Sequence, residues 1–480
     1  MPLRTLTSVF TDIDCETLLL NLVALLIVKP NIMRNTYFFK SLLLLISLMS
    51  FNSLFSQIPD RVLVGYWHNW ESLRLSQVDD RYNVICLAFM EANGGDWNKD
   101  NNSVNDLKFE HPYISESDMI SDIAALRAQG KIVLMSIGGA NGSFALLNQT
   151  QKDTYVQKMK AVIQKYGLDG IDIDIERPVY LCDPWGTLDN PITSMQNLID
   201  GTKEIMTWFQ TQYGKKMILT TAPEVAYTTG ALSPYGSCKG AFLPFIHQLR
   251  DEIDLVMVQL YNSGDNYSIQ YNNTPRSYTT YFDGTVDFVI TQTEAIIEGF
   301  TINNGNIPST YLGMPENKIA VALPASTSQT SAGSGYLTPS NVKKAVEYLM
   351  GCGSKPGSYT LNKSYPALRG LMTWSINEDS KSTSGVYSFA GAFSSISCGV
   401  ITSAREQDLN ESFSIFPNPS SGVCQLESAS DERIIVRDLN GTTVLSFQPA
   451  VGRNNVNFEN LPSGVYFLQQ GTNTNKLVLQ

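Results

Sequence analysis

The sequence is poor in charge, and above all in basic charge. Only 16% of its 480 residues are Asp, Glu, Lys or Arg, against about 25% in average proteins. The 34 Lys and Arg are outnumbered by 45 Asp and Glu, which gives a net charge of -11. This balance leaves no electrostatic footprint for nucleic acid or anionic lipid. We therefore expect no nucleic-acid partner and a neutral or weakly charged ligand.

Potential metal ligands are also scarce. The chain holds three His and seven Cys, and no two Cys have the close CxxC spacing of a zinc site. His68 has no second His near it in the sequence, so we interpret it as structural. The sequence predicts no metal and no other cofactor.

Neither of the two apolar runs near the start predicts a permanent membrane span. The run Leu18–Val28 lacks a preceding basic region and is shorter than the ~20 residues of a spanning helix. The run Leu42–Met49 follows Arg34 and Lys40 and precedes small polar residues, which is the order of a signal peptide.

The second run predicts how the chain starts. We expect Met33 to be the initiator and residues 1–32 to be a spurious extension. Residues 33–56 would then form the signal peptide, with cleavage after Ser56.

Eight short apolar runs alternate with longer segments through residues 57–397. The runs are Val62–Tyr66, Val84–Phe89, Ile132–Ile137, Gly170–Glu176, Met217–Thr221, Leu255–Tyr261, Ile319–Leu323 and Gly370–Trp374. Three segments between them predict helices: Ile120–Gln129, Thr154–Tyr166 and Asn341–Met350. Such alternation indicates parallel strands with crossover connections, and eight units fit an α/β fold of the (β/α)8 TIM-barrel type. A doubly wound sheet is the alternative that the pattern leaves open.

The remainder of the chain has a different pattern. After a short linker, residues 398–411, the spacing tightens into short strands and turns, and no segment has a helical period. The strand candidates are Phe413–Pro419, Ile434–Gly441, Asn455–Phe458, Leu461–Phe467 and Lys476–Gln480. Asn440-Gly441 is typical of a hairpin turn. Residues 412–480 therefore predict a small all-β, sandwich-like module.

Three carboxyl groups share one face of the fourth predicted strand. Side chains alternate between the faces of a strand, so Asp172, Asp174 and Glu176 point one way and the intervening isoleucines the other. Inside a barrel, such close carboxyl groups cannot all ionise cheaply, so at least one pKa must rise. A carboxyl still protonated near neutral pH can act as a general acid. The alternative is a solvated sheet face, which a parallel barrel strand does not have. Asp169 precedes the strand with opposite parity and is interpreted as structural.

These residues lie within motifs that resemble glycoside hydrolase family 18, and within it the bacterial chitinases. The resemblance covers nearly all of residues 60–395. The family's DxxDxDxE signature is met by Asp169 to Glu176, and its SxGG signature by Ser136 to Gly139 on the third strand. Further matches are Gly65–Trp70, Ala222–Glu224, Gln259–Asn262 and Met372–Asn377. Gln-x-Tyr-Asn in place of Met-x-Tyr-Asp indicates the shallow-cleft, endo-acting branch.

The resemblance implies substrate-assisted, retaining hydrolysis, in which the substrate's 2-acetamido oxygen attacks the anomeric carbon. Glu176 would protonate the glycosidic oxygen, and Asp174 would accept the acetamido N–H. Asp172 would share a proton with Asp174, and Tyr261 would hydrogen-bond the acetamido carbonyl. The resemblance also implies that chitin and N-acetylglucosamine oligosaccharides are the partners.

Other residues are expected to line the cleft. Gln259 has the parity of Tyr261 and would need a polar partner if buried, and Asn262 completes that motif. The flat ring of Trp374 suits stacking on a sugar, and Tyr66 and Phe89 end their strands toward the same rim. Gly138 and Gly139 are expected to allow close backbone packing. Cys182 and Cys238 follow strands on one face of the barrel and are expected to form a disulfide.

The C-terminal module resembles the sorting domain of the type IX secretion route. The matching pieces are Phe416–Pro419, Asp438–Gly441, Leu461–Tyr466 and Lys476 to Leu479. The resemblance implies the type IX machinery as a partner and a secreted or cell-surface protein exported through the periplasm and outer membrane. A carbohydrate-binding module is the alternative, but the segment holds no Trp for a flat binding platform.

Three functions remain open at this stage. The first is a secreted endo-chitinase. The second is an endo-β-N-acetylglucosaminidase acting on N-glycan cores with the same fold and chemistry. The third is a non-catalytic chitin-binding lectin, which the presence of Glu176 disfavours.

Overall fold

The computed structural model describes residues 58–92, 104–142, 144–176, 186–233, 238–273, 276–302, 309–327, 331–398 and most of 413–479, without 417, 419, 429, 439–441 and 471–472. The predicted extension, the signal peptide and linker residues 399–411 lie outside the described residues. The chain divides into two compact units, one up to Cys398 and one from Gly399.

The first unit is a barrel of eight parallel strands. They are β1 (Val62–His68), β2 (Val84–Glu91), β4 (Ile132–Gly139), β5 (Gly170–Ile175), β6 (Ile218–Thr221), β7 (Leu255–Val256), β12 (Ala320–Pro324) and β13 (Gly370–Trp374). Their order in the sheet is β12-β13-β1-β2-β4-β5-β6-β7. Parallel bridges from Val256 to Ile319 and from Gln259 to Ala322 join β7 to β12 and close the ring. The predicted (β/α)8 barrel is confirmed, and the doubly wound sheet is excluded.

Shorter strands are inserted between the barrel strands. β3 (Lys108–Phe109) pairs with β2, and two antiparallel hairpins are formed by β8 (Asp265–Gln270) with β9 (Ser277–Phe282) and by β10 (Phe300–Ile302) with β11 (Ser309–Tyr311). The helices are α1 (Glu116–Ala128), α2 (Gln149–Tyr166), α3 (Thr193–Tyr213), α4 (Leu243–Gln248), α5 (Val286–Glu298), α6 (Pro339–Met350), α7 (Ile376–Asp379) and α8 (Ser388–Ser395). Among the described helices, none is both long and apolar enough to cross a membrane.

Side-chain caps fix where several of these helices begin. The side chains of Ser115, Asn148 and Thr338 accept hydrogen bonds from the backbone N–H three residues later, at the starts of α1, α2 and α6. Such caps satisfy amides that have no partner within the helix. α2 ends at Gly167, whose φ of 64° is readily adopted only by glycine.

The strands divide the apolar side chains between two layers, as their parity predicts. Ile171, Ile173 and Ile175 of β5 belong to the large core between the strands and the helices. A smaller cluster with residues such as Val64 and Leu134 fills the inside of the barrel. The side chains of β5 that alternate with the isoleucines therefore point into the barrel, which is where the carboxyl groups were predicted.

One disulfide was not predicted. Cys352 and Cys398 form a disulfide that ties the chain after α6 to the chain after α8. Cys238 is also disulfide-bonded, but its expected partner Cys182 lies outside the described residues.

The second unit is built of strands alone in its described part. One sheet has the order β14 (Phe413–Phe416), β15 (Val423–Ser428) and β18 (Gly452–Asn457). The other has the order β17 (Thr443–Phe447), β16 (Ile434–Arg437), β19 (Gly464–Gln470) and β20 (Asn473–Leu479). A single apolar cluster holds residues of both sheets, among them Leu426 and Leu468. The predicted all-β module is confirmed, whereas β15 and β17 were not predicted.

Candidate active site

A cavity of about 480 Å³ opens where the barrel strands end. Its described lining comprises Asn69, Trp70, Phe89, Glu91, Glu110, Pro112, Ala140, Asn141, Asp174, Glu176, Gln259, Tyr261, Asn262 and Trp374. Seven of the predicted site residues lie in this lining. The carboxyl ends of barrel strands are where the active sites of such folds lie, so this cavity is the candidate active site.

Asp172 lies beneath the cavity, fully buried, and three hydroxyl groups donate hydrogen bonds to it. Tyr66 and Ser136 donate to Oδ2, each at 2.7 Å, and Thr220 donates to Oδ1 at 2.6 Å. Burial raises the pKa of the Asp172 carboxyl, and the three hydroxyls oppose that rise because they stabilise the ionised form.

Asp174 and Glu176 are joined by one amide group. Gln259 Nε2 donates to Asp174 Oδ1 at 2.8 Å and to Glu176 Oε1 at 3.1 Å, and it also lies 2.9 Å from the carbonyl oxygen of Ala222. The buried amide of Gln259 thus has the polar partners that were expected for it. Within the described residues, Asp172 and Asp174 are hydrogen-bonded to these separate donors and not to each other. The proton sharing implied by the family resemblance stays a prediction.

Burial and mutual repulsion raise the pKa values of Asp174, Glu176 and the nearby Glu224. Burial raises the pKa of Glu176 to about 7. Burial and the neighbouring Glu176 and Asp172 raise the pKa of Asp174 well above its usual range. Burial and the Glu176 carboxyl raise the pKa of Glu224, which follows β6, to about 8. These shifts agree with the expectation that close carboxyl groups inside the barrel cannot all ionise, and a carboxyl of pKa near 7 suits a general acid.

Three residues of the two family signatures, Gly138, Gly139 and Asp169, have structural roles near these carboxyl groups. A Cβ atom on Gly138 would lie 2.4 Å from the carbonyl oxygen of Asp174, and one on Gly139 would lie 2.6 Å from the ring of Phe89. Both glycines have positive φ, so they allow the close packing that was expected. Asp169 accepts hydrogen bonds from Arg127 and from the Val133 amide, which is a structural role.

Aromatic rings form one wall of the cavity. Trp374 stacks on Phe89 with ring centroids 5.5 Å apart and an interplanar angle of 16°. Trp70 lies 6.1 Å from Trp374 and 6.3 Å from Phe89. Flat rings exposed to a cavity suit the apolar faces of sugar rings.

Two predicted site residues make contacts that the sequence did not reveal. Tyr66 was expected to line the cleft, but it is 1% exposed and packs edge-on against Trp374 below the rim. Its hydroxyl donates to Asp172, so Tyr66 positions that carboxyl. The Oδ1 atom of Asn262 accepts from the backbone amides of Gly333 and Ser334, so this residue anchors a loop as well as lining the cavity.

Tyr261 lines the cavity, and His68 is buried against the ring of Trp70. Tyr261 is 7% exposed and lines the cavity, and the surrounding carboxyl groups add to the effect of burial in raising its pKa. His68 is buried, with Nδ1 2.9 Å from Glu71 Oε1 and its ring stacked on Trp70. This environment agrees with a structural interpretation of His68. No group of described residues is arranged to hold a metal ion.

Two residues of the cavity lining, Trp70 and Glu91, were not predicted to be site residues, although Trp70 ends the matched segment Gly65–Trp70. Trp70 is 41% exposed at the rim and follows β1 in a loop, where strand parity gives no information. Glu91 ends β2, whose register is irregular between Leu87 and Met90. Strict alternation would have placed Glu91 with Ile85 and Leu87 on the helix-facing side, so strand parity could not have found it.

The fold and the site together define a class of protein, that of (β/α)8 barrels with carboxyl groups and stacked aromatic rings in a cavity at the carboxyl ends of the strands. Comparison with known proteins gives the family. Residues 62–357 match the family of glycosyl hydrolases family 18, and residues 414–480 match the secretion system C-terminal sorting domain. Because the first match spans more than half of the chain, the chain belongs to glycosyl hydrolases family 18.

Individual relatives agree with this assignment. The chain is 37% identical to "Chitinase Chi52" of Paenibacillus xylanexedens, covering 66% of this chain and 58% of that one. It is 36% identical to "Chitinase ChiA" of Flavobacterium johnsoniae, covering 68% of this chain and 21% of that one. The chain thus matches less than two thirds of the length of these relatives.

A solved structure shares the fold. A family GH18 chitinase from Chromobacterium violaceum superposes with a TM-score of 0.57 at 31% identity, covering 70% of this chain and 84% of that one.

Proposed function

We propose that this chain is a secreted, endo-acting chitinase that hydrolyses β-1,4 linkages between N-acetylglucosamine units. The observation that carries the proposal is the placement of Glu176, a half-buried carboxyl of raised pKa, beside Asp174 and Tyr261 in the cavity. The names of the two relatives support chitin as the substrate.

Glu176 is the general acid of the proposed reaction. Its proton passes to the glycosidic oxygen as the bond from that oxygen to the anomeric carbon breaks. Asp172 remains in place beneath the site because Tyr66, Ser136 and Thr220 hold it. Asp174 lies between them and is the carboxyl available to the acetamido N–H of the substrate.

The nucleophile is the acetamido oxygen of the substrate itself. It forms a bond to the anomeric carbon as the leaving oxygen departs, and the resulting oxazolinium ion is stabilised by Asp174 and by the Tyr261 hydroxyl. Water then attacks the anomeric carbon as the bond from that carbon to the acetamido oxygen breaks. Glu176 takes up a proton from the water, which gives a product of retained configuration. This scheme leaves no attacking role for the other two carboxyls, because Asp172 is engaged by three hydroxyl groups beneath the cavity and Asp174 is taken up by the substrate N–H and the Gln259 amide.

The C-terminal unit serves export in this proposal. Its match to a secretion system sorting domain supports delivery to the cell surface or beyond, through the type IX machinery. The absence of Trp from this segment argues against a flat carbohydrate-binding platform.

Side-by-side product analysis tests the proposed substrate. Purified protein is incubated with chitin oligosaccharides and with an N-glycosylated protein, and released sugars are identified by mass spectrometry. Cleavage of internal linkages in the chitin oligosaccharides, with the glycoprotein intact, is the expected result. Release of N-glycans at comparable rates would instead identify an endo-β-N-acetylglucosaminidase.

The Glu176→Gln variant is the matched control for this assay. Its amide keeps the shape of the acid but cannot donate the required proton, so turnover should fall by about 10²–10⁴. A variant that kept more than a tenth of wild-type turnover would contradict the assignment of the acid.

A further inference from the structure

Glu91 is a carboxyl group of the cavity that the proposed reaction does not use. It ends β2, is half-buried, and lines the same cavity as Asp174 and Glu176. Among the described residues no donor or cation pairs with its side chain, whereas Asp174 and Glu176 share the amide of Gln259 and Glu110 pairs with Lys108. A partly buried carboxyl without a partner is costly unless a ligand supplies one.

The backbone beside Glu91 is shaped to its side chain. A Cβ atom on Gly142 would lie 2.7 Å from Glu91 Cγ and 2.3 Å from the carbonyl oxygen of Gly138. The glycine therefore lets the loop after β4 close over the aliphatic part of Glu91. This contact packs the aliphatic part of a side chain that also lines the cavity.

The charge of the cavity favours a cationic group on the ligand. Its described lining contains four carboxyl groups, of Glu91, Glu110, Asp174 and Glu176, and no Lys, Arg or His. Burial raises the pKa of Glu91 to about 7. An approaching ammonium group would favour the ionised carboxylate and lower that pKa.

We propose that Glu91 is a specificity-determining residue that binds the 2-ammonium group of a glucosamine unit, so that the enzyme prefers partly deacetylated chitin. This inference rests on the proposed function. The unit cleaved must still carry its N-acetyl group, because that group supplies the nucleophile. The glucosamine unit recognised by Glu91 is therefore a different sugar unit of the same oligosaccharide, at a fixed number of linkages from the bond that is cleaved.

The test compares two substrates of matched length, a fully acetylated chitin oligosaccharide and a partly acetylated chitosan oligosaccharide, near neutral pH. In the Glu91→Gln variant, the ratio of kcat/KM for chitosan to kcat/KM for chitin should fall about tenfold, as for loss of one charge-assisted hydrogen bond. The Glu204→Gln variant removes the same charge from α3, outside the cavity lining, and should keep the wild-type ratio. Melting temperatures verify that each variant is folded.

The position of glucosamine within the oligosaccharide products distinguishes binding by Glu91 from a purely structural role, which would not affect that position. Mass spectrometry of end-labelled products should show glucosamine enriched at one position relative to the cut in the wild type, and no such enrichment in Glu91→Gln. An unchanged substrate ratio, or wild-type products without positional enrichment, would overturn the inference.

A binding measurement separates this inference from the proposed function. Calorimetry compares chitosan oligosaccharide binding to Glu176→Gln and to the double variant Glu176→Gln/Glu91→Gln. Weaker binding to the double variant supports the role of Glu91 even if the wild type fails to cleave chitin, and equal binding refutes it. Failure of the wild type on the acetylated oligosaccharide would contradict the proposed function alone.

Discussion

Three carboxyl groups of one strand have different surroundings, and the surroundings decide what each can do. Asp172 accepts three hydroxyl hydrogen bonds and is fully buried. Asp174 shares the amide of Gln259 with Glu176 and interacts with both neighbouring carboxyls. Glu176 is the most exposed of the three and has a pKa of about 7. Only Glu176 combines access to the cavity with a pKa suited to donating a proton near neutral pH.

Replacing Gln259 by Met should move the basic limb of the pH profile upward. The amide stabilises the ionised carboxyls and so holds their pKa values down. Without it the pKa of Glu176 rises, the acid stays protonated to higher pH, and the basic limb of kcat/KM shifts up by about one pH unit. Measurement of kcat/KM across pH checks this.

The Gln248→Met variant is the control for that experiment. Gln248 donates to the carbonyl oxygen of Leu188 outside the cavity lining, so its loss should leave the profile in place. If the basic limb of the Gln259→Met profile does not move, or moves to lower pH, the Gln259 amide does not control the pKa of Glu176.

Among the secondary-structure elements, the alternation of apolar runs with longer segments was sufficient to predict the eight barrel strands. All eight predicted runs became barrel strands, and the isoleucines and carboxyls of β5 lie on the predicted faces. The three predicted helices exist, but each begins two to five residues earlier than its apolar period, because Ser115, Asn148 and Thr338 cap it. Apolar periodicity does not detect a capping turn.

The apolar pattern of the sequence could not predict how deep an inward-facing residue lies in the barrel, nor where hairpins are inserted between its strands. Parity placed Tyr66 on the inner face of β1 but could not tell the rim from the layer beneath, where its hydroxyl meets Asp172. The hairpin of β8 and β9 packs on α5, partly through Asn266 and Gln292. Its strands are too polar for apolar alternation to reveal them. Trp70 lies in a loop, which has no period at all.

At the scale of the whole molecule, the two units should separate by function. A chain shortened to residues 57–403 should keep its kcat/KM on chitin oligosaccharides within about twofold, since the barrel has its own core and all the proposed site residues. Export from a host that uses the type IX route should fail. Assays of activity and of culture medium check both parts.

The full-length protein is the control for the shortened chain. Normal export of the shortened chain, together with selective loss of activity on crystalline chitin, would show that the C-terminal unit binds substrate. In that case the proposed sorting role would be wrong.

In the proposed mechanism the substrate, and not a carboxylate of the protein, attacks the anomeric carbon. Proton NMR of freshly formed product tests it most directly, because it reports the anomeric configuration before mutarotation. We expect the β anomer to appear first when chitin oligosaccharides are cleaved, and β-1,4-glucan oligomers, which lack the acetamido group, to give no product. Initial release of the α anomer, or cleavage of the glucan at a comparable rate, would contradict it.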